Sequence, residues 1–459
     1  MRCSPSLHAS RIRWVLPCLA AGLLSREVRA SGFHIDEQDA RATGRAGAII
    51  ASTRGASAVY YNPAGIAQLE GWNVGLGASF VAPRSEFAAA TDGTVTEAVD
   101  NTFALPHAYV SYRINDVLAL GVGANAPFGL GLEWPETSPG RAAVRKAQLQ
   151  TFFLMQVLAL DASAWVPGLA FGVGLDIVPA SVRLERDILF GQDVGNVALS
   201  GTALGVGGRA GVSYRPPSLP GWSFGATYRS PVQLDFAGNA DFDASPTYRA
   251  SLPPDGSVKT SVRLPQTIGA GVAFRPIPEW ELELDGSWRG WSSYDSLSIE
   301  LPDGSETVSN KDWRDAFALR IGTEYTLAER WSARLGFIWD QTPVPATTLD
   351  FQLPDANRID ISFGVGALLT SAVRVDVAAL HVLNQERQTA SDNALEPPIK
   401  GEFGISAWVV GVSLGVAFDA GPSDEPDAMA VADPPVENEG ECARPLRIRA
   451  HEHLSRCER

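Results

Sequence analysis

Along most of the chain, apolar residues recur at every second position. Trp280, Leu282, Leu284 and Trp288 share one parity, and Glu281, Glu283, Asp285 and Ser287 hold the other. Trp222, Phe224, Ala226, Tyr228, Val232, Leu234 and Phe236 stand opposite Arg229, Gln233 and Asp235 in the same way. Phe317, Leu319, Ile321 and Tyr325 oppose Arg314, Arg320 and Glu324. A period of two with one apolar face predicts β-strands.

Fourteen such strands can be placed, near 72–83, 105–114, 117–126, 148–161, 168–181, 196–215, 222–236, 258–275, 280–290, 313–327, 331–340, 358–370, 373–387 and 399–418. Long connections follow the odd-numbered strands, at 84–104, 127–147, 182–195, 237–257, 291–312, 341–357 and 388–398. Short ones, such as 115–116, 328–330 and 371–372, follow the even-numbered strands. An even strand number with long and tight connections in turn is the rhythm of an outer-membrane barrel, whereas a soluble sandwich has no reason to alternate loop length. The expected fold is all-β, a transmembrane antiparallel β-barrel of about 14 strands over 72–418. No apolar run is long enough for a membrane-spanning helix, and a barrel needs none. Trp72, Trp222, Trp280, Trp313 and Trp331 stand at strand starts, where they would form girdles at the membrane interfaces.

A barrel this wide needs filling. Residues 31–71, rich in Gly and Ala and carrying "YYNPAG" (Tyr60 to Gly65), are expected to be a small N-terminal hatch inside the lumen. Glycines on the polar strand faces would leave room for such a plug or for a ligand. Ahead of the hatch, Arg2, Arg11 and Arg13 precede the short apolar run "WVLPCLAAGLL", so residues 1–30 read as a signal peptide cleaved after Ala30. Removing its five Arg and one Glu takes the net charge from −15 to −19, a poor match to nucleic acid. Residues 419–459 read as an acidic, disordered tail, and only Cys442 and Cys457 in it remain to pair. The chain has no H-E-x-x-H motif or cysteine cluster, and His107 and His381 are strand histidines without a G-x-S-x-G context, so no metal, cofactor or enzymatic activity is expected.

The hatch stretch "GRAGAIIASTRGASAVYYNPAG" resembles that of the FadL/TodX outer-membrane transporters of hydrophobic compounds. "NAPFGLGLEW", "YRSPVQLDFAGNADF", "LPQTIGAGVAFRP", "RGWSSYDSL", "LRIGTEYTLAERWSARLGFIWDQTPVP" and "LPDANRIDISFGVG" follow in the order of that family. The resemblance runs from about Gly32 to Phe418 and implies passive uptake of hydrophobic molecules, most often long-chain fatty acids. The ligand would be caught by the outer loops, held in a lumen pocket and released sideways through a gap at the third strand. It places ligand and hatch roles on Gly32, Phe33, Asn62, Pro63 and Ala64. Pro127, Phe128, Gly129 and Gly131 become candidates for the lateral opening, since proline and glycine weaken a ladder. Implied partners are the ligand, outer-membrane lipid and lipopolysaccharide, and the barrel-assembly machinery, with the chain a monomer. A tail beyond Phe418 departs from the family pattern, in which the last strand ends the chain.

Arg209, Arg229, Arg263, Arg320, Arg334 and Arg374 project inward by parity, and one of them would meet a ligand carboxylate. Inward acids (Glu281, Glu283, Asp285 and Asp376) compete for them. A transporter of aromatic or alkane hydrocarbons and a general porin for polar solutes are the alternatives.

Overall fold

A computed structural model describes residues 32–390, 393 and 399–418. The signal peptide, the acidic tail and the pairing of Cys442 with Cys457 fall outside the described residues. Fourteen wall strands run antiparallel and close on themselves. They are β1 (Trp72–Ala89), β2 (Phe103–Arg113), β3 (Leu118–Asn125, resuming as Gly129–Glu133), β4 (Lys146–Thr151, then Phe153–Asp161) and β5 (Leu169–Phe190). Next come β6 (Asp193–Tyr214), β7 (Trp222–Arg229, then Val232–Asp243), β8 (Gly256–Leu264, then Thr267–Ile277) and β9 (Trp280–Arg289). The circuit ends with β10 (Ala316–Leu327), β11 (Trp331–Asp340), β12 (Arg358–Leu368), β13 (Val373–Gln388) and β14 (Gly401–Phe418). Each strand pairs with its neighbour in the chain, and β14 returns to β1 from Trp72↔Phe418 to Ala89↔Gly401, so the sheet has no free edge.

Leu76, Phe80, Leu120, Val122, Leu335 and Phe363 point outward as a bare apolar belt, while His107, Asp176, Arg209, Glu283 and Asp285 are buried inside. That inversion of a soluble core is what a lipid surround selects. Trp72, Trp222, Trp280 and Trp331 are exposed at the periplasmic strand starts, and Trp72 and Trp222 stack on Tyr112 and Phe274. Trp313 does not join them. It lies ahead of β10 at the outer end and is buried against other aromatic rings.

Two further expectations are corrected at one place. Val232, Leu234 and Phe236 are buried inside, and Arg263 on β8 is exposed outside. Ser230 and Pro231 interrupt β7, and the register against β6 moves by one residue between Arg229↔Arg209 and Ala237↔Thr202. A single added residue turns every later side chain to the other face. β8 flips with β7, whereas β5 and β6 keep their phase, and in the outer part of all four strands the polarity of the wall is reversed, with Val182, Leu199, Phe236 and Val262 facing inward and Gln233 and Asp235 outward.

The chain from Gly32 to Gly71 packs inside the barrel, in two single-turn helices (Ala40–Thr43 and Ala58–Tyr61) and a 3-10 turn (Pro63–Gln68). It runs over the glycines of the inner face. A Cβ on Gly336 would lie 2.4 Å from the Arg45 carbonyl carbon, one on Gly225 2.3 Å from the Ile50 oxygen, and one on Gly172 2.4 Å from the Pro63 carbonyl carbon. Those glycines are the space that the segment fills. Asp285 accepts the Ile49 and Ile50 N–H groups at 2.9 and 3.0 Å, and Ser413 accepts that of Ala40 at 2.8 Å.

An aromatic pocket beside a break in the wall

Gly32 opens the described segment at a φ of +66°, which few side chains tolerate, and donates its N–H to Asp355 Oδ2 at 3.2 Å. This anchor aims Phe33 at a nest of rings. Trp291 lies 4.7 Å from it centroid to centroid, Trp313 5.8 Å, Phe128 6.2 Å and Tyr294 6.3 Å, mostly edge to face. The cavity here is lined by Phe33, Leu130, Tyr294, Lys311, Trp313, Val344, Thr348, Asp350, Gln352 and Leu353. Its volume is about 40 Å³. As it stands it is too narrow for a lipid chain, because Phe33 occupies it.

One cation faces the rings. Lys311 is buried, and its Nζ donates to Asp350 Oδ2 at 2.8 Å and to Gln352 Oε1 at 2.7 Å. Burial acts to lower its pKa, but the Asp350 carboxylate outweighs it, and the ammonium stays charged. Asp355, the anchor of Gly32, is pushed up to about 6 by burial. His34 goes the other way. Burial drives its pKa down to about 4 against the pull of Asp36, whose carboxylate lies 3.4 Å from its Nδ1.

Beside this pocket the wall is broken. The β3–β4 ladder stops at Asn125↔Phe153 and resumes at Gly129↔Gln150, out of register by one. The backbone groups freed at the break are taken up by the N-terminal segment. Ile35 N–H donates to the Pro127 carbonyl at 2.8 Å, and Gly129 N–H donates to that of Phe33 at 3.1 Å. The Gln38 amide donates to the Ala126 carbonyl at 3.1 Å and accepts from its N–H at 3.2 Å, as a neighbouring strand would. Thr151 Oγ1 donates to the Phe128 carbonyl at 2.7 Å. Within hydrocarbon such groups must be satisfied, so the segment stands in for the missing stretch of ladder.

The residues singled out from the sequence fall into two groups. Gly32, Phe33, Pro127, Phe128 and Gly129 meet at the pocket and the break. Gly131 lies just above, where a Cβ would come 2.2 Å from the Phe103 ring. Asn62, Pro63 and Ala64 sit apart from them, over Gly172 and Gly211 near the periplasmic ends of β5 and β6. There the Asn62 side chain accepts from Ala64 N–H at 3.2 Å and donates to the Ile50 and Val212 carbonyls, a cap that holds the segment's base.

Five of the six inward arginine candidates serve structure. Arg209 pairs with Asp176 at 2.7 Å, Arg229 bonds Tyr60, Arg320 bonds Asp36, and Arg334 and Arg374 meet Asp376. Sequence reasoning overlooked Lys311, Trp291, Tyr294 and Gln38. Parity says nothing of Lys311, which lies in a long outer loop, nor of which loop aromatics will meet.

A model of the outer membrane protein transport protein family (OMPP1/FadL/TodX) matches residues 21–418. The chain belongs to that family. It is an outer-membrane protein of a family of transport proteins. Among its relatives, the long-chain fatty acid transport protein of Salmonella typhi is 25% identical over 441 residues, covering 87% of this chain and 97% of the relative. That of Escherichia coli K12 is 25% identical over 448 residues with the same coverage. A Pseudomonas aeruginosa FadL homologue has the same fold, with a TM-score of 0.77 at 18% identity, over 84% of this chain and all of the other (100%). The P. putida toluene transporter TodX superposes with a TM-score of 0.67 at 18% identity, over 85% and 99%.

Proposed function

We propose that this protein carries long-chain fatty acids across the outer membrane by way of the aromatic pocket and releases them sideways at the break in β3. The observation that carries the reading is the position of Phe33. Its ring fills the pocket while its carbonyl accepts the bond that helps to seal the wall. A ligand chain that displaces the ring pulls on the seal. Each CH₂ buried from water stabilises binding by about 0.8 kcal/mol, so a long chain resists release into the periplasm. A sideways exit into the bilayer avoids that step.

Two features support the outer part of the route. The reversed polarity of β5 to β8 gives the outer loops an apolar interior where a chain can first be caught. Lys311 offers a buried ammonium to a carboxylate, which favours fatty acids over the neutral hydrocarbons suggested by the likeness to a toluene transporter. A general porin is disfavoured by the segment that fills the lumen. Uptake of radiolabelled oleate tests the reading, in cells that lack their own fatty-acid transporter and express this chain. Uptake that Phe33→Ala and Lys311→Met each lower severalfold supports it. Toluene uptake without oleate uptake, unaffected by Lys311→Met, would transfer the reading to hydrocarbons.

A further inference from the structure

The wall is interrupted a second time, between β6 and β7. We propose that this seam binds the alkyl chain of an amphiphile entering from the outer leaflet. The proposal is independent of the role given to the Phe33 pocket. Pairing stops at Arg229↔Arg209 and resumes at Ala237↔Thr202, leaving 203–208 and 230–236 without ladder partners in each other. Across its other edge, β6 pairs with β5 without a break from end to end. At the lower lip, Ser230 N–H donates to the Gly208 carbonyl and Ser230 Oγ accepts from Gly208 N–H, both at 2.8 Å.

The two breaks are closed by different means. At β3 the N-terminal segment supplies hydrogen bonds, whereas here the inner side is closed by β7 itself, by the side chains of Val232 and Leu234 and the Gln233 carbonyl between them. A Cβ on Gly205 would lie 2.5 Å from Val232 Cγ1 and 2.8 Å from Leu234 Cδ2, and one on Gly207 would lie 2.8 Å from Val232 Cγ2. Val232 and Leu234 are 2% and 0% exposed. On the bilayer side, Leu204 and Val206 are 69% and 60% exposed.

Above the seam lies a second cavity, lined among others by Leu184, Leu199, Gly201, Phe236, Gly238 and Val258. An alkyl chain can therefore pass between Leu204 and Val232 and reach an apolar space by exchanging one set of dispersion contacts for another. The occupant is an amphiphile because the outer face changes character here. Gln233 and Arg263, paired across β7 and β8, are exposed at the same rim and can keep a polar head outside.

The test uses the full chain in bilayers doped with an alkyl phosphocholine that carries a mid-chain diazirine. After irradiation, adducts are mapped by peptide mass spectrometry. The expected result is labelling of inward Val232 and Leu234 and of 205–207, above the level at Leu335 and Phe363, which face lipid elsewhere on the barrel. Val232→Trp should reduce the seam label to that level and leave labelling of the Phe33 pocket unchanged, and Leu234→Trp serves equally if the first variant fails to assemble. Label on Leu204 and Val206 at the Leu335 level with none on Val232 or Leu234 would overturn the proposal. So would seam labelling that both tryptophan variants leave intact.

Discussion

The backbone N–H of Gly129 in β3 and the carbonyl of Phe33 form a hydrogen bond of 3.1 Å, which ties the occupant of the aromatic pocket to the broken edge of the wall. Pocket and wall are therefore one mechanical unit. Whatever moves Phe33 acts on the edge of the stretch of β3, 126–128, that has no ladder partner in β4.

Phe33→Ala should separate binding from transport. Truncating a buried phenylalanine costs about 3–5 kcal/mol where the cavity persists, and here the loss falls on the anchorage of the N-terminal segment. Fatty-acid binding, followed by displacement of a fluorescent analogue, should be retained or tightened because the ring no longer competes. Oleate uptake should fall severalfold. Loss of binding and uptake together would mean that the ring is part of the site rather than its occupant.

At Gly129 there is space to obstruct. A Cβ there meets Ile35 Cδ1 at 3.5 Å and nothing closer. Gly129→Trp should leave the barrel assembled, as read by its heat-modifiable migration in detergent gels, and reduce uptake to background. Wild-type uptake by an assembled variant would place the exit elsewhere.

Lys311→Met removes a buried cation and leaves Asp350 without its ammonium, so Lys311→Met/Asp350→Asn is the cleaner comparison. A charge-assisted hydrogen bond contributes about 1.5–3 kcal/mol. Palmitate affinity should accordingly fall roughly ten- to hundredfold in the double variant, with hexadecanol affinity nearly unchanged. Equal losses for acid and alcohol would assign Lys311 a packing role.

Asp355 gives a pH signature. Burial raises its carboxyl from 3.8 to about 6, so the folded state binds this proton more tightly than the unfolded chain does. Its contribution is therefore lost as pH rises from about 4 through about 6. Asp355→Asn keeps an acceptor for Gly32 and removes the titration. The melting temperature of the variant minus that of the wild type should increase between pH 4 and pH 7, and a flat difference would count against the shift.

Arg45 holds the segment in the lumen, with ion pairs to Glu281 at 2.8 Å and Glu283 at 3.0 Å and almost no exposure. Breaking such a buried cluster on one side costs about 3–5 kcal/mol. Arg45→Met should loosen the plug, so single barrels in planar bilayers should show raised ion conductance. A silent variant would show that the remaining contacts suffice.

The barrel was legible because the lipid imposes a period of two on every strand, and the strand count follows from that period. What parity cannot register is an added residue. Beyond Ser230 and Pro231 the phase of β7 flips, so Val232, Leu234 and Phe236, which parity puts on one face with Trp222 and Phe224, face the interior. Arg263 fails in the mirror sense, because outside the hydrocarbon the apolar face is the inner one. Trp313 looked like a girdle residue because strand starts do carry tryptophans, but β10 begins three residues later at the outer end. The pocket was half legible. Phe33 came from resemblance, while Trp291, Tyr294 and Lys311 are joined to it only by the folding of the outer loops.

The bonds of the N-terminal segment also fix an order of events. Its backbone is held by Asp285, 236 residues further along the chain, and by Ser413, 373 residues away. Single-turn helices of four residues have no stability of their own. A segment made before every wall strand thus takes its shape only against strands made after it.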